Sequence, residues 1–264
     1  MADLDLASFD VLTFDCYGTL IDWETGILAA LHRALDAPAR ALGGAMPSDD
    51  QLLEAFARHE ATIEAGRYRP YREVLGGTHE GIAADLGLAV DDEALAAFGG
   101  SVVEWPAFPD SAAALVDLVA RYRLGVITNC DDDLFAASEA RLGVRFDPVV
   151  TAQQTRRYKP NPRGFELAFE RIGLPTSRIL HVAQSLFHDH VTARRLGLRT
   201  VWVDRRSGRA GAGATPPAEA TPDLVVPDLR TLADLAMAAL PEPALTEPTL
   251  SEPGLPEPSR SVVS

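Results

Sequence analysis

Positive charge is scarce in this sequence. It contains 24 lysine and arginine residues against 38 aspartate and glutamate residues, which gives a formal net charge of −14 over 264 residues. A field of that sign repels the phosphate backbone of nucleic acids. The sequence therefore predicts a protein without a nucleic-acid partner.

Cysteine and long apolar runs are also scarce. The two cysteines, Cys16 and Cys130, are too few for a disulfide framework, and no Cys/His spacing resembles a zinc site. No apolar run approaches the ~20 residues that a membrane span needs, and the first residues lack the basic stretch of a signal peptide. We expect a cytoplasmic protein with reduced thiols and no membrane partner.

The hydrophobic residues, 47% of the chain, form alternating strand-like and helix-like patterns. Near-continuous apolar runs predict six strands, the last one weaker, and amphipathic stretches over residues 110–122 and 162–172 predict helices between them. The six runs are residues 10–15, 124–128, 148–151, 179–183, 199–203 and 223–226. This alternation is typical of an α/β fold, a Rossmann-like parallel sheet with helices on both faces, in which ligands bind beyond the carboxyl ends of the strands.

Two segments break this alternation. Residues 23–106 show helical periodicity, which predicts a helical cap domain inserted after the first strand, placed to act as a lid over the site. Residues 8–22 and 107–235 then form the Rossmann-like catalytic core. Residues 241–264 repeat a five-residue Pro/Glu-rich pattern, which predicts an extended, disordered tail.

Four groups of polar residues fall at the ends of predicted strands. They are residues 15–19, 127–129, 158–160 and 183–189. In this order on a parallel sheet, they resemble the four motifs of the haloacid dehalogenase superfamily, over about residues 8–235. The stretch from Phe14 to Leu20 is most similar to the type II enzymes, the L-2-haloacid dehalogenases.

The resemblance implies a role for each catalytic residue. Asp15 would be the nucleophile that forms a covalent ester, and Thr19 would hold its carboxylate by a hydrogen bond. Lys159 would pair with Asp15 and keep it ionised. Asp189 would activate the water that hydrolyses the ester. The cap would supply Arg58, which matches the arginine that receives the departing halide.

The resemblance also implies a set of substrate-binding residues. Thr128 and Asn129 would donate hydrogen bonds to the substrate carboxylate. Gln184 and Ser185 would assist water activation at the fourth motif. Tyr17, two residues after the nucleophile, would also be a substrate-binding residue.

Tyr17 and Gln184 separate this chain from the phosphatases of the superfamily. Those enzymes carry a second aspartate at the position of Tyr17, because an expelled alkoxide must be protonated, whereas halides other than fluoride leave without a proton. They also carry an acid at the position of Gln184 that helps to hold Mg²⁺. The sequence therefore favours carbon–halogen hydrolysis of a small anionic 2-haloacid, with no required metal or cofactor.

Two other functions stay open on the sequence alone. One is a small-molecule phosphomonoester phosphatase of the same superfamily, which Tyr17 and Gln184 disfavour. The other is a non-catalytic binding protein that retains the fold. Phe165 stands where the dehalogenases have a tyrosine, which removes a hydroxyl from the expected site. The sequence does not fix the oligomeric state, and a homodimer stays open.

Overall fold

The computed structural model describes residues 4–41, 43, 46–207 and 213–239. The predicted tail at residues 241–264 lies outside the described residues. Within those ranges, no helix is both long and apolar enough to cross a membrane.

A parallel sheet of six strands forms the centre of the fold, in the order β3-β2-β1-β4-β5-β6. The strands are β1 (Val11–Phe14), β2 (Arg123–Thr128), β3 (Val149–Thr151), β4 (Ile179–Ala183), β5 (Arg199–Val203) and β6 (Leu224–Val226). The six predicted strands are confirmed to within one residue at each end. All four residues of β1 are buried, as expected for a central strand covered on both faces.

Helices pack on both faces of the sheet. They are α5 (Ser111–Val119), α6 (Asp132–Leu142), α7 (Ala152–Thr155), α8 (Arg163–Ile172), α9 (Val191–Arg195) and α10 (Leu229–Ala238), with short 3-10 turns at Leu6–Ser8 and Thr176–Arg178. Alternate residues of β1 belong to two apolar clusters: Val11 packs with Phe165 and Ile172 of α8, whereas Leu12 and Phe14 join the larger cluster on the opposite face. The α/β prediction is confirmed.

Four helices stand between β1 and β2. They are α1 (Trp23–Ala41), α2 (Asp49–Glu64), α3 (Tyr71–Asp85) and α4 (Asp92–Gly100), followed by a 3-10 turn at Ser101–Glu104. A capping box fixes the start of α2: the Ser48 side chain accepts from the Gln51 backbone, and the Gln51 side chain accepts from the Ser48 backbone. This start sets which face of α2 is buried, and that face includes Phe56 and Glu60.

Gly26 leaves room for the indole of Trp105 against α1. A Cβ built on Gly26 would lie 2.3 Å from Trp105 Cγ, and Trp105 is itself buried. We expect Gly26→Ala to destabilise the fold by about 1–3 kcal/mol, because overpacking outweighs the gain in helix propensity. In thermal unfolding this corresponds to a loss of about 2–4 °C per kcal/mol.

Gly100→Ala is the matched control, because an added methyl at the end of α4 meets no atom within 4 Å. Its melting temperature is expected to equal or exceed that of the unmodified protein. Equal melting temperatures for the two variants would contradict the packing argument.

Candidate active site

Asp15 is the first residue beyond β1, at the centre of the sheet. Phe14 pairs in register with Val126 of β2 and with Val182 of β4. The carboxyl ends of three parallel strands therefore meet beside Asp15, which is 6% exposed. This edge is where parallel sheets bind their ligands.

Thr19 joins Asp15 to the loop that follows β4. Its hydroxyl donates to Asp15 Oδ2 at 2.8 Å, and Thr19 Oγ1 accepts from the backbone N–H of Gln184 at 2.9 Å. The turn between them depends on Gly18, whose φ of +87° favours glycine. The predicted contact between Thr19 and Asp15 is thus present in the structure.

Lys159 is the only lysine of the sequence, and it is buried beside Asp15. Its Nζ donates to Asp15 Oδ1 at 2.8 Å, to Asp189 Oδ1 at 2.7 Å and to the carbonyl of Ile127 at 2.8 Å. An ammonium has three donors, so all three are used. Burial acts to lower the pKa of Lys159, but the two carboxylates outweigh it and raise that pKa.

Asn129 positions Lys159 through its backbone. The amide oxygen of Asn129 accepts from the Lys159 N–H at 2.7 Å, and Nδ2 donates to the Lys159 carbonyl at 3.2 Å. Because Asn129 directly follows β2, these two bonds tie the lysine segment to the sheet.

Asp189 is fully buried in a π-helical turn, Leu186–His190, that follows β4. Its Oδ1 accepts from Lys159 and from Nε2 of His181 at 3.0 Å. Its Oδ2 is buried and has no hydrogen-bond partner among the described residues. Burial acts to raise the pKa of Asp189, but Lys159 and His181 hold it well below its usual range.

The sequence analysis missed His181. It lies on β4, its Nδ1 pairs with the Thr13 hydroxyl at 3.0 Å, and the Phe165 ring packs edge-on against it at 5.0 Å. The only signal in the sequence was a histidine inside an apolar strand. The position where the resemblance expects a tyrosine hydroxyl is therefore an apolar contact behind Asp189.

A cavity of about 30 Å³ lies in front of Asp15. It is lined by Asp15, Tyr17, Trp23, Glu60, Glu64, Tyr71, Asn129, Lys159, Ser185, His188, Asp189 and Thr215. Six predicted site residues are in this lining: Asp15, Tyr17, Asn129, Lys159, Ser185 and Asp189.

The structure corrects the prediction that places Arg58 at the site. Its guanidinium donates to Asp85 Oδ2 at 2.5 Å, and the side chain is 60% exposed. An α-helix turns about 100° per residue, so Arg58 points about 200° away from Phe56, which is fully buried. Arg58 consequently lies on the outer face of α2, away from the cavity.

Thr128 and Gln184 also fall outside the lining. Thr128 borders a separate small cavity, and its hydroxyl is buried without a partner in the described part of the chain. The side-chain oxygen of Gln184 accepts from the Thr215 hydroxyl at 3.3 Å. Thr215 lines the cavity, whereas Gln184 does not.

Tyr17 lines the cavity, but its hydroxyl is engaged in the core. It pairs with the Ser138 hydroxyl at 3.0 Å and accepts from Cys130 Sγ at 3.3 Å. Burial raises the pKa of Tyr17 well above its usual value. The phenol is therefore held as a neutral group that faces away from Asp15.

Glu60 and Glu64 are two further lining residues that the sequence analysis missed. Glu60 is 4% exposed, and its Oε1 accepts from the Tyr71 hydroxyl at 2.7 Å. Burial raises the pKa of Glu60 to about 7 and raises that of Glu64 well above its usual value. The signal was present, because the helical period of Leu52 and Phe56 continues to Glu60.

His188 completes the polar lining. Its Nδ1 lies 3.1 Å from the Ser185 hydroxyl, and its backbone N–H donates to the same oxygen. Burial lowers the pKa of His188 to about 4, which keeps the imidazole neutral near pH 7.

The arrangement supports nucleophilic chemistry. Each oxygen of the Asp15 carboxylate is held by a donor, and the Lys159 ammonium lies between this carboxylate and that of Asp189. Within the described ranges, no group of three or more His, Cys, Asp or Glu side chains could hold a metal ion.

Comparisons with known proteins agree with this chemistry. A family model for haloacid dehalogenase-like hydrolases matches residues 9–195. The (S)-2-haloacid dehalogenase H-109 of Pseudomonas putida is 26% identical over 214 residues, covering 79% of this chain and 92% of that protein. Haloacid dehalogenase-like hydrolase domain-containing protein 3 of Danio rerio is 34% identical over 107 residues, and this chain spans only 44% of its length.

A solved structure shows the same fold. The L-2-haloacid dehalogenase from Xanthobacter autotrophicus superposes with a TM-score of 0.71 at 24% identity, covering 87% of this chain and 98% of that one.

Proposed function

We propose, given that this chain belongs to the haloacid dehalogenase-like hydrolases, that it converts small 2-haloalkanoates to 2-hydroxyalkanoates. The reaction passes through a covalent ester on Asp15. The observation that carries this proposal is the buried Asp15–Lys159–Asp189 arrangement at the cavity. The similarity to (S)-2-haloacid dehalogenases supports hydrolysis of a carbon–halogen bond by this chain.

In the first step, a carboxylate oxygen of Asp15 attacks C2 of the substrate. A bond forms between that oxygen and C2, and the carbon–halogen bond breaks with its electron pair on the halide. Lys159 and Thr19 hold the two oxygens of Asp15, which limits the nucleophile to a narrow range of orientations.

In the second step, water attacks Cγ of the Asp15 ester. The bond between Cγ and the ester oxygen breaks, one proton of the attacking water passes to that oxygen as the 2-hydroxyacid leaves, the other proton is released, and the Asp15 carboxylate is restored. The net reaction consumes one water and releases one halide and one proton. In this proposal Asp189 Oδ2, which has no partner among the described residues, accepts a hydrogen bond from this water.

Tyr17 fits a leaving group that needs no proton. Its hydroxyl is bonded to Ser138 and Cys130, so it is not available to protonate a departing oxygen. A halide other than fluoride is a weak base and leaves unprotonated, whereas an alkoxide does not. This contact favours carbon–halogen hydrolysis over phosphomonoester hydrolysis.

Residues 23–106 are proposed to act as a cap over a core formed by residues 8–22 and 107–235. Helix α2 supplies Glu60 and Glu64 to the same cavity that the core lines with Asp15. Movement of this cap against the core would then control the entry of a 2-haloacid.

We expect halide release from 2-chloropropionate to continue after exhaustive chelation with EDTA, unchanged within about twofold. The Lys159 ammonium already lies between the carboxylates of Asp15 and Asp189 and supplies the positive charge there. The measurement is chloride release with and without EDTA. A parallel screen of phosphomonoesters, with and without Mg²⁺, is the control.

Magnesium-dependent phosphate release without chloride release would replace this function with that of a phosphatase. The absence of both activities, with a folded protein, would favour a non-catalytic binding role.

A further inference from the structure

The described residues that line the cavity include no lysine or arginine side chain free to pair with a substrate carboxylate. Lys159 is the only basic lysine or arginine side chain among the described residues that line it. Its three donors are already used by Asp15, Asp189 and the Ile127 carbonyl. An anionic substrate must therefore find its hydrogen-bond donors elsewhere in the lining.

Glu60 and Glu64 face this cavity one helical turn apart on α2. Glu60 is held by the Tyr71 hydroxyl at 2.7 Å, and Glu64 Oε2 lies 3.5 Å from Asn129 Nδ2. Glu60 is buried and Glu64 is half-buried, and their mutual repulsion adds to the cost of ionising both, so at least one keeps its proton near neutral pH. A protonated carboxyl is a hydrogen-bond donor.

A groove of about 870 Å³ adjoins the cavity and shares Glu64, Lys159 and His188 with it. The groove is also lined by three arginines, which are Arg67, Arg156 and Arg157. On a chain with a net charge of −14, this concentration of arginine attracts anions to the mouth of the site. The groove therefore favours an anionic ligand over a cationic one.

We propose that Glu60 and Glu64 bind the carboxylate of the substrate as neutral carboxylic acids, so that each substrate anion binds together with one proton. This inference rests on the proposed function and names the groups that recognise its substrate. The two carboxylic acids supply the hydrogen-bond donors that an arginine side chain would otherwise supply to the substrate carboxylate.

The groups that set the protonation of this pair come from every element around the cavity. The titratable or charged ones are Asp15 and Tyr17 after β1, Tyr71 on α3, Tyr158 and Lys159 in the segment before α8, His188 and Asp189 after β4, and, at the groove beside Glu64, Arg67, Arg156 and Arg157. Burial and the mutual repulsion of the two glutamates favour the acid form, whereas Lys159 and the Tyr71 hydroxyl favour the ionised form. The pKa of Glu60, raised to about 7, places the change within an accessible pH range.

The test is the pH dependence of KM for 2-chloropropionate. The protonated pair binds, so KM is expected to stay constant below about pH 7 and to rise about tenfold per pH unit above it. In the double variant Glu60→Gln, Glu64→Gln, the amides donate at every pH, so KM is expected to stay flat through about pH 9. Glu54→Gln, an exposed glutamate on the same helix, is the control and keeps the wild-type profile.

Two outcomes would overturn the inference while leaving the proposed function intact. One is chloride release with a KM that does not change between pH 6 and 9. The other is a ratio of the KM for 2-chloropropionate to the KM for the uncharged 2-chloropropionamide that stays constant between pH 6 and 9.

A second measurement does not depend on turnover. Binding of 2-chloropropionate to the Asp15→Asn protein, followed by calorimetry at pH 8 in two buffers of different ionisation enthalpy, is expected to show uptake of about one proton per ligand. Binding without proton uptake would overturn the inference. Proton-linked binding by a wild-type protein that releases no chloride would instead count against the proposed function alone.

Discussion

A Lys159→Met variant is expected to show no detectable halide release and to lose about 3–5 kcal/mol of its free energy of unfolding. Methionine keeps most of the buried side-chain volume but removes the ammonium from between Asp15 and Asp189. Two buried carboxylates then lose their common partner. The measurements are chloride release and urea-induced unfolding at pH 7.

The loss of stability in this variant is expected to shrink in acid. Without the ammonium, burial and mutual repulsion raise the folded-state pKa values of Asp15 and Asp189 above their unfolded values. Stability is then greatest at low pH and falls as pH rises through those values. Arg163→Met, which removes only exposed ion pairs to Glu166 and Glu170, is the control and is expected to change stability little. Equal stability of the two variants at pH 7 would contradict the role given to Lys159.

An Asp15→Asn variant is expected to lose all detectable turnover while its melting temperature changes by only a few degrees. An amide has nearly the shape of a carboxylate but is a poor nucleophile. The amide oxygen keeps one of the two donors, the Thr19 hydroxyl or the Lys159 ammonium, and the NH2 group removes the acceptor of the other. The measurement is chloride release at high enzyme concentration, beside thermal unfolding.

A single turnover of the unmodified enzyme in ¹⁸O water separates covalent from direct attack. Water that opens the Asp15 ester at Cγ leaves ¹⁸O in the carboxylate of Asp15, whereas direct attack on C2 places the label in the product. Label found only in the product, or activity of several per cent in the asparagine variant after deamidation is excluded, would contradict the nucleophilic role of Asp15.

The fold and the centre of the site could be predicted because they depend on local signals. Asp15, Lys159 and Asp189 each follow an apolar run that forms a strand, and parallel strands bring their carboxyl ends to one edge. Residue type and order along the chain were sufficient to place these three groups together. Side-chain packing did not have to be known.

Which residues of α2 reach the site depends on their positions around the helix axis. Residue type alone does not determine those positions. Arg58 matched the expected residue type and position, yet it lies on the outer face of α2, while Glu60 and Glu64 lie on the inner face. His181 was hidden because a histidine in an apolar strand has the same pattern whether or not it contacts an acid. The direction of the Tyr17 hydroxyl depends on Ser138, which is 121 residues away in sequence.

The single lysine of the sequence also makes the site open to chemical labelling. Lys159 carries the only side-chain primary amine of the 264 residues, and in the closed site its ammonium is buried, protonated and bonded to three acceptors. An amine-directed acylating reagent needs the neutral, accessible amine, so Lys159 reacts only in molecules whose site has opened. The extent of acylation of one tryptic peptide, read by mass spectrometry, therefore reports the opening equilibrium of this site in the unmodified protein.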